Sequence, residues 1–450
     1  MRELKIGISW VRGVVGDALT PELVVNFSCA FGTWADGGPV VIGRDPRQSS
    51  SMLRAAVIAG LLSPGCDVID LGVCPTPVVS FAVRELGAAG GLSITGSHND
   101  SRWNALKFIA PDGTLLNAVK SEELLDIFHA SAYASARGGK PGITECPQVI
   151  DRYLEHTLST LDTHAVRAAR PHVAVDFCNG SCHSVVERFL RELGCTLMPL
   201  NELPSSRFAH PPSPTVQNMS QLQEFMDGAP VTLGAAINVD GDRIAFVTPE
   251  GTALSEEFTV PLAARNRLTR RPGTVVTNLS SSRMIEAVAE QFGQEVIRTS
   301  VGEGHVMDRG LEEGAVLAGE GSGGVGALPM TMTFDATLTL GMVLEMLAVE
   351  QTSLESIVGE LPHFHMLKGT LPCAPDQIYR LVQSFRGVFA DHATNVVDGL
   401  RVSWSDGWLH VRASNTEPLL RVIVEANTEA RAEALFEQAM AHGRSLLGGA

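Results

Sequence analysis

The sequence predicts an α/β protein of three related α/β domains with mixed, mostly parallel sheets, followed by a C-terminal α+β domain. Two observations predict this fold class. Short apolar runs alternate with helical patterns as far as residue 365 or so, which is typical of strand–helix units around parallel sheets. The remaining residues instead show a hairpin signal, one further strand pattern and a long helical pattern.

The composition bounds the number of domains and the class of ligand. A chain of 450 residues is too long for one hydrophobic core, and its 44% hydrophobic and 19% charged residues are typical of globular proteins. The formal net charge of −16 argues against nucleic acid and anionic membrane surfaces as partners. An anionic substrate would therefore need a local basic pocket.

Neither the first residues nor any later stretch contains a long apolar run, so we expect no signal sequence and no membrane span. Eight sparse cysteines are typical of a reduced, cytoplasmic protein. Cys178, Cys182 and His183 resemble part of a metal motif, but no second Cys/His pair lies near them in sequence. Two buried thiols at a strand-to-helix turn are the favoured interpretation.

Each of the three α/β units contains a late strand that leads into a polar or glycine-rich loop. Ligand sites of parallel sheets lie at the carboxyl ends of strands, so these loops are candidate site loops. The strand and loop pairs are Leu92–Thr95 before Ser97, Leu233–Ile237 before Asn238–Arg243, and Ala315–Ala318 before Gly319–Gly324.

The last segment has a different pattern. Asp406-Gly407 separates two apolar runs and is a strong hairpin signal. A strand over Leu419–Glu425 and a helix over Glu429–Leu447 complete a small α+β domain. The predicted domains span 1–145, 146–250, 251–365 and 366–450.

Thr95–Asn99 places a serine in a tight turn beside His98. A free serine hydroxyl is a poor nucleophile, whereas a phosphorylated Ser97 would act as a stored phosphoryl donor. A turn that caps a helix explains the same residues equally well.

Asn238, Asp240 and Asp242 alternate, so on an extended segment their side chains point the same way. Carboxylate and amide oxygens suit Mg²⁺, and a phosphate on Ser97 would supply the charge that Asn238 lacks. Arg243 could bind the same phosphate. The alternative interpretation is a polar β-turn.

Two further loops suit a phosphorylated sugar. Glu320 and Ser322 lie in a glycine-rich loop and could bind vicinal hydroxyls, although a flexible turn is the alternative. The residues of the last loop combine a guanidinium with hydroxyls and could hold a phosphate, although a solvated hairpin end is the alternative. They are Arg412, Ser414, Asn415 and Thr416.

Taken in order, six segments make the chain resemble the α-D-phosphohexomutase superfamily, which contains phosphoglucomutase, phosphomannomutase and phosphoglucosamine mutase. The resemblance covers essentially the whole chain and implies four domains around a central active-site cleft. The segments are Arg12–Gly16, Gly43–Ser50, Thr95–Asn99 with Asn104 and Lys107, Asn238–Arg243, Gly319–Gly323 and Arg412–Pro418.

The resemblance also implies a mechanism with Mg²⁺, a phosphoserine at Ser97, and a hexose 1,6-bisphosphate as intermediate and activator. The enzyme would be a monomer or homodimer acting on a hexose phosphate. The implied catalytic residues are Ser97, Lys107, Arg12 and His98. The implied metal site is Ser97, Asn238, Asp240 and Asp242. The implied substrate-binding residues are Arg243, Gly302, His305, Glu320, Ser322, Arg412, Ser414, Asn415 and Thr416.

The chain departs from the family pattern at four places, of which the first affects the metal site and the last two affect the choice of sugar. Asn238 replaces the usual aspartate, Asp100 replaces a proline, and Gly324 replaces a histidine often given an acid/base role. The segment 301–305 lacks a lysine or arginine often found there. Three hypotheses follow: a mutase for hexose 6-phosphate and hexose 1-phosphate, a mutase of the same fold for an amino sugar or specialised-pathway sugar phosphate, and a non-catalytic sugar-phosphate sensor.

Overall fold

Four β-sheets organise the protein in the computed structural model, which describes residues 4–136, 141–414 and 418–447. The sheets have seven, four, four and five strands in chain order. Helices pack against each sheet, which confirms the predicted α/β class with an α+β domain at the carboxyl end. The domain limits predicted from the sequence remain our proposal.

The first domain is built on the seven-stranded sheet, with strand order β1-β2-β6-β5-β3-β4-β7. Its elements are β1 (Lys5–Ile6), β2 (Trp10–Val14), α1 (Pro21–Trp34), β3 (Val40–Arg44), α2 (Gln48–Leu62), β4 (Val68–Val73), α3 (Thr76–Glu85), β5 (Gly90–Ile94), β6 (Trp103–Ile109), α4 (Ala118–Ala130) and β7 (Ile143–Glu145).

The second domain contains the sheet β11-β10-β8-β9. Its elements are α5 (Gln148–Ser159), α6 (Thr163–Ala169), β8 (His172–Asp176), α7 (His183–Glu192), β9 (Thr196–Leu200), α8 (Ser220–Met226), β10 (Leu233–Ile237) and β11 (Ile244–Val247). Cys178 and Cys182 are buried between β8 and α7, as expected from the sequence, and all eight cysteines are free thiols.

The third domain contains the sheet β13-β12-β14-β15. Its elements are α9 (Thr259–Arg270), β12 (Val275–Asn278), α10 (Met284–Gln291), β13 (Val296–Thr299), α11 (Glu303–Glu312), β14 (Leu317–Glu320), β15 (Gly324–Gly326), α12 (Ala336–Glu350) and α13 (Leu354–Glu360). Short 3₁₀ turns at Val216–Asn218 and Glu256–Phe258 lie in the second and third domains.

The fourth domain has a wholly antiparallel sheet in the order β16-β20-β19-β18-β17, with two helices. The predicted hairpin is confirmed, because β18 and β19 pair around Asp406 with Trp404 opposite Gly407. The elements are β16 (His365–Pro372), α14 (Pro375–Val388), β17 (Ala393–Asn395), β18 (Leu400–Trp404), β19 (Gly407–Ala413), β20 (Leu419–Ala426) and α15 (Glu429–Leu447).

The first three domains repeat one four-strand pattern. In each, a first strand pairs in parallel with a second strand on one side and a third on the other, and a fourth strand pairs antiparallel with the third. The candidate loops with Ser97 and Asp240 follow the third strand, which is β5 and β10 respectively, and Glu320 is the last residue of the third strand β14, where the third loop begins. The three loops are therefore equivalent positions of one repeated unit.

Apolar packing joins the first three domains and leaves the fourth separate. One continuous cluster of buried side chains includes Val79 of the first domain, Phe189 of the second and Leu344 of the third. A second cluster consists only of fourth-domain residues, among them Phe385 and Leu435. The first three domains therefore hold their loops in fixed relative positions.

Helix α12 lies at the centre of the shared core. Its residues from Ala336 to Leu347 are all buried, as expected for a helix that is apolar on every side. Asp335 begins the helix, because its carboxylate accepts a hydrogen bond from the backbone N–H of Leu338 at 3.0 Å. Tyr153, on α5 of the second domain, donates its hydroxyl to the same carboxylate at 2.9 Å. This buried contact joins the second and third domains.

Among the described residues, no helix combines the length and the apolar character that a membrane crossing requires.

We expect Tyr153→Phe to lower the stability of the joined domains by about 1–3 kcal/mol, because it leaves a buried carboxylate with one donor fewer. The measurement is the apparent Tm, followed by urea unfolding. Tyr379→Phe is the matched control, since Tyr379 is 72% exposed whereas Tyr153 is 2% exposed. Equal behaviour of the two variants would contradict a stabilising role for the Tyr153–Asp335 contact.

Candidate active site

A cavity of about 1060 Å³ lies where loops of all four domains meet. Most of the residues predicted from the sequence line it: Arg12, Ser97, His98, Lys107, Asp242, Arg243, Gly302, His305, Glu320, Ser322, Arg412 and Ser414. Asn238 and Asp240 lie directly behind this lining, in contact with Ser97 or Lys107. Asn415 and Thr416 lie outside the described residues.

The turn that carries Ser97 is held in an unusual conformation. Ser97 has a φ of +49°, in the left-handed region that non-glycine residues seldom adopt. Arg47 holds the backbone of this turn by donating hydrogen bonds to the carbonyl of Ser97, at 2.9 Å, and to the carbonyl of Asn99. Ser97 is 2% exposed, so its hydroxyl reaches the surface only through the cavity.

Asp45 organises both Arg47 and the turn. Its carboxylate forms a buried ion pair with Arg47 and accepts from the Thr95 hydroxyl at 2.8 Å and the Ser50 hydroxyl at 2.7 Å. The Thr95 hydroxyl oxygen in turn accepts from the backbone N–H of Ser97 at 2.9 Å. The position of Ser97 is therefore set by a buried network that starts at the end of β3.

The loop after β10 comes directly against this turn. Nδ2 of Asn238 lies 3.4 Å from Oγ of Ser97, and it also donates to Asp240 at 2.9 Å and to Asp242 at 2.6 Å. Oδ1 of Asn238 accepts from the backbone N–H groups of Asp242 and Arg243, both at 3.1 Å. These two N–H donors fix the orientation of the amide, so its NH₂ group faces the carboxylates.

Lys107 connects the two loops electrostatically. Its Nζ lies 2.8 Å from Asp240 and 2.6 Å from Asp242, and all three side chains are buried. Burial alone lowers the pKa of Lys107, but the two carboxylates outweigh it and raise that pKa above its ordinary value. Lys107 is therefore a permanent cation in this arrangement.

The donor set fits a hard divalent cation with one oxygen fewer than the sequence predicts. The carboxylates of Asp240 and Asp242, together with a phosphate on Ser97, are ligands of the kind that Mg²⁺ prefers. Asn238 presents nitrogen rather than oxygen to this position. Within the described residues, no three His, Cys, Asp or Glu side chains form a metal-binding group, which agrees with the interruption at Asn238.

Two arginines and a histidine complete this end of the cavity. Arg12 donates to Oδ1 of Asn99 at 2.5 Å and lies over the Trp10 ring, 4.6 Å from its centroid. Burial lowers the pKa of Arg12 to about 10, which leaves it charged at neutral pH. Burial, with nearby Arg243 and Arg12, also lowers the pKa of His98, so this imidazole is neutral. Nδ1 of His98 is buried and has no hydrogen-bond partner in the described chain.

Glu320 and Ser322 lie in the third domain. Oε1 of Glu320 accepts from Nδ2 of Asn278 at 2.8 Å and from the N–H of Gly302 at 2.6 Å. Oγ of Ser322 is buried and lacks a partner within the described residues. A buried hydroxyl without a partner costs free energy, so Ser322 suits a ligand hydroxyl. His305 lines the cavity from the first turn of α11.

The structure gives a physical reason for Gly324. A Cβ at this position would lie 2.1 Å from the ring of Phe334, so no side chain fits here. Phe334 fills this space and donates its backbone N–H to Glu303 at 2.8 Å. Burial, opposed by Lys107 and assisted by Asp242, raises the pKa of Glu303 to about 8. A carboxyl group that titrates near neutral pH therefore lies on the cavity wall.

At the other end of the cavity, Arg412 and Ser414 extend from the end of β19. Arg412 donates through Nε to Oδ2 of Asp398 at 2.9 Å, which leaves the direction of its guanidinium fixed. Arg421 of β20 lines the same region.

Several side chains of the site are missed by the sequence patterns: Asp45, Arg47, Asn278, Glu303, Asp398 and Arg421. Asp45 and Arg47 lie in the segment Gly43–Ser50, whose resemblance to the family was the available signal. Asp398 precedes Gly399 in a turn, a pattern too common to indicate a site. Asn278 ends β12 and therefore shares the carboxyl edge of its sheet with Glu320.

Comparison with known proteins gives one consistent family. The models of the phosphoglucomutase/phosphomannomutase α/β/α domains I, II and III match residues 3–134, 151–251 and 256–364. The model of the C-terminal domain of the same family matches residues 374–442.

Individual relatives agree with these matches over nearly the whole chain. A probable phosphoglucosamine mutase of Methanopyrus kandleri is 35% identical over 442 residues, which cover 96% of each chain. A phosphoglucomutase/phosphomannomutase of Thermococcus kodakarensis is 31% identical over 441 residues, again 96% of each. A crystal structure of a phosphoglucomutase/phosphomannomutase family protein from Burkholderia thailandensis has a TM-score of 0.85 at 25% identity and 97% coverage of each chain.

The fold and the relatives define an enzyme of the phosphohexomutase type, whose family typically uses Mg²⁺ and a phosphoserine. The chain belongs to the phosphoglucomutase/phosphomannomutase family.

We expect Asn238→Asp to tighten Mg²⁺ binding by at least about ten-fold, because it replaces the inward-facing NH₂ by a third carboxylate oxygen. Isothermal titration calorimetry of the purified protein with MgCl₂ measures this directly, without reference to turnover. Asn395→Asp adds the same charge at an exposed position of the fourth domain and is the matched control. An unchanged Mg²⁺ affinity in Asn238→Asp would contradict the described role of the amide.

Proposed function

We propose that this protein interconverts hexose 6-phosphate and hexose 1-phosphate through a phosphoserine at Ser97 and a bisphosphorylated sugar. The observation that carries the proposal is the meeting of the Ser97 turn with Lys107 and the Asp240–Asp242 loop in one cavity. A nucleophilic hydroxyl, a set of cations and a pair of metal-binding carboxylates are the groups that phosphoryl transfer requires.

In the first half-reaction, a sugar hydroxyl attacks the phosphorus of phospho-Ser97. A sugar O–P bond forms, the Ser97 Oγ–P bond breaks, and the sugar hydroxyl loses its proton. The proton ends on Oγ of Ser97. In the second half-reaction, Oγ of Ser97 attacks the other phosphorus of the bisphosphorylated sugar: the Oγ–P bond forms again, that sugar O–P bond breaks, and the Ser97 proton passes to the sugar oxygen. The same residues therefore serve both directions, provided that the intermediate turns round in the cavity.

Electrostatic stabilisation supplies most of the catalysis in this proposal. Arg12, Lys107 and Arg243 surround Ser97 with positive charge, although the chain as a whole has a net charge of −16. Fixed cations lower the barrier because negative charge spreads over the phosphoryl oxygens in the transition state. Mg²⁺ held by Asp240, Asp242 and the Ser97 phosphate would neutralise further charge on these oxygens. Asn238 then positions the two carboxylates.

The far end of the cavity would hold the non-reacting end of the substrate. Arg412 and Ser414, with Asn415 and Thr416, are our proposed phosphate clip. Glu320 and Ser322, with Gly302 and His305, are our proposed contacts to the sugar. A volume of about 1060 Å³ is at the upper end for a small-molecule site, which suits an intermediate that must reverse its orientation.

Two classes of sugar phosphate are candidates for the substrate. The relatives include proteins named for glucosamine phosphate and for glucose or mannose phosphates. We favour the phosphate of a hexose without an amino group, such as glucose or mannose, because the sequences of the Ser97 and Arg412 segments resemble those of phosphomannomutase/phosphoglucomutase members. An amino sugar phosphate is the second candidate, and the absence of a lysine or arginine in Val301–His305 motivates it.

We expect the protein to carry one phosphoryl group on Ser97 after incubation with glucose 1,6-bisphosphate, as measured by intact mass and phosphosite mapping. Ser97→Ala should abolish this gain and lower mutase turnover by at least about 10³-fold, because the stored phosphoryl donor is lost. Ser101→Ala changes an exposed serine of the same loop and is the matched control.

Kinetics on glucose, mannose and glucosamine phosphates then separate the two substrate classes. Binding of these sugars with no turnover and no phosphate on Ser97 would replace the mutase proposal by the sensor hypothesis.

The catalytic residues predicted from the sequence do not include an effective general base for proton transfer. Lys107 is a permanent cation, and His98 has too low a pKa to be an effective base. We propose Glu303 as the general base for the sugar hydroxyl, since it lines the cavity and titrates near neutral pH. Its carboxylate is the active form, so the rate should rise with pH until the pKa of about 8 is passed.

We expect Glu303→Gln to lower kcat by about 10²-fold or more and to remove the rise in rate between pH 6 and 8. The measurement is the pH profile of kcat and of kcat/KM on the best sugar phosphate. Glu312→Gln, at the far end of the same helix, is the matched control. A variant that keeps the wild-type pH profile would exclude Glu303 as the base.

A further inference from the structure

Asp398 of the fourth domain makes contacts on both sides of the boundary with the third domain. Its Oδ2 accepts from Nε of Arg412 at 2.9 Å, within the fourth domain. The same oxygen accepts from the backbone N–H of Val301 at 3.0 Å, in the third domain. One carboxylate oxygen thus connects the proposed phosphate clip to the loop before α11.

The loop on the third-domain side continues directly to the proposed sugar contacts. Gly302 follows Val301 and donates its N–H to Oε1 of Glu320 at 2.6 Å. The same oxygen accepts from Asn278 at 2.8 Å. Arg412 and Glu320, which we place at the phosphate and at the sugar, are therefore linked through Asp398 and two adjacent backbone N–H groups.

A second path closes these contacts into a ring. Oδ1 of Asn278 accepts from the N–H of Ser280 at 2.7 Å, and the Ser280 hydroxyl lies 2.8 Å from Nδ1 of His410. Nε2 of His410 lies 2.6 Å from the carbonyl oxygen of Asp398, so it is the donor there and Nδ1 is the acceptor. Burial lowers the pKa of His410 to about 4, which keeps this neutral form at physiological pH.

The backbone at Asp398 is held in place for this role. Gly399 has a φ of +76°, and a Cβ there would lie 2.3 Å from the carbonyl oxygen of Val411, on the strand that carries Arg412. Only glycine fits this close approach. The carboxylate of Asp398 therefore has a defined direction relative to β19.

We propose that Asp398 is a positioning residue, which fixes Arg412 for substrate phosphate and seats the fourth domain on the Val301–Gly302 loop. This inference rests on the proposed function and specifies how Arg412 is held. Asp398 pairs with Nε of Arg412, so the carboxylate fixes the direction in which the guanidinium extends from β19. Binding energy is preserved when a site is arranged before the ligand arrives.

The test is Asp398→Asn, which keeps the size of the side chain. Its single oxygen can take the place of Oδ2, which accepts from both Arg412 and Val301, but it carries no negative charge, so both hydrogen bonds weaken and the ion pair with Arg412 is lost. We expect KM for the sugar phosphate to rise about ten-fold or more while kcat stays within about three-fold, since Ser97 and its surroundings are unchanged. Hydrogen exchange at Val301 should become faster, because a neutral amide oxygen is a weaker acceptor for its N–H than a carboxylate oxygen.

Ser280→Ala is a second variant that removes a different member of the ring. It should raise KM in the same direction by a few-fold. Asp406→Asn removes an equal charge from an exposed ion pair with Arg431 in the same domain, and it should leave KM, kcat and exchange at Val301 unchanged.

Each outcome decides between the two proposals. A wild-type KM in Asp398→Asn, or a loss confined to kcat, would overturn the positioning role. A lowered Tm, together with a higher KM, a lower kcat and less phosphorylation of Ser97 to similar extents, would also overturn it, because that pattern indicates a general structural role. If the wild-type protein neither binds nor converts any sugar phosphate, the proposed function fails. Faster exchange at Val301 in Asp398→Asn than in the wild type would still support the contact between the fourth domain and the Val301–Gly302 loop.

Discussion

The continuous apolar core of the first three domains is the constraint on which the rest of the structure depends. Helix α12 lies within it, and Gly341 of this helix packs so closely on Phe189 and Leu161 that a Cβ would come within 2.6 Å of both side chains. Because close packing of this kind leaves little free space, the packed elements can move very little relative to one another. The loops after β5, β10 and β14 are therefore held at fixed distances from one another.

Fixed loops make the buried charges possible. Lys107, Asp240 and Asp242 would each be costly to bury alone, and together they neutralise much of one another's charge. Asn238 extends the same network, because its amide connects both carboxylates to the backbone of its own loop. The resulting site places positive and negative groups side by side around Ser97, on side chains that are themselves buried.

Local patterns predicted the fold well where each element contains its own signal. The strand Leu233–Ile237 and the helix Glu429–Leu447 have the predicted bounds, because apolar runs and periodicity define them. The family resemblance and the loop positions indicated site residues of which most line the cavity. Contacts between distant segments could not be predicted in this way: Arg47 lies 50 residues from Ser97, and Asp398 lies 97 residues from Val301. The orientation of the Asn238 amide likewise depends on two backbone N–H groups that only the folded loop brings together.

The fourth domain meets the third mainly through hydrogen bonds and ion pairs, such as those of Asp398, His410 and Arg283, and its own apolar core is separate. Separation of these two domains would therefore expose little apolar surface and exchange protein hydrogen bonds for hydrogen bonds to water. The heat-capacity change of such a movement is small, since apolar hydration dominates that quantity. The enthalpy of such a separation should then be nearly constant with temperature, in contrast to the enthalpy of unfolding the continuous apolar core.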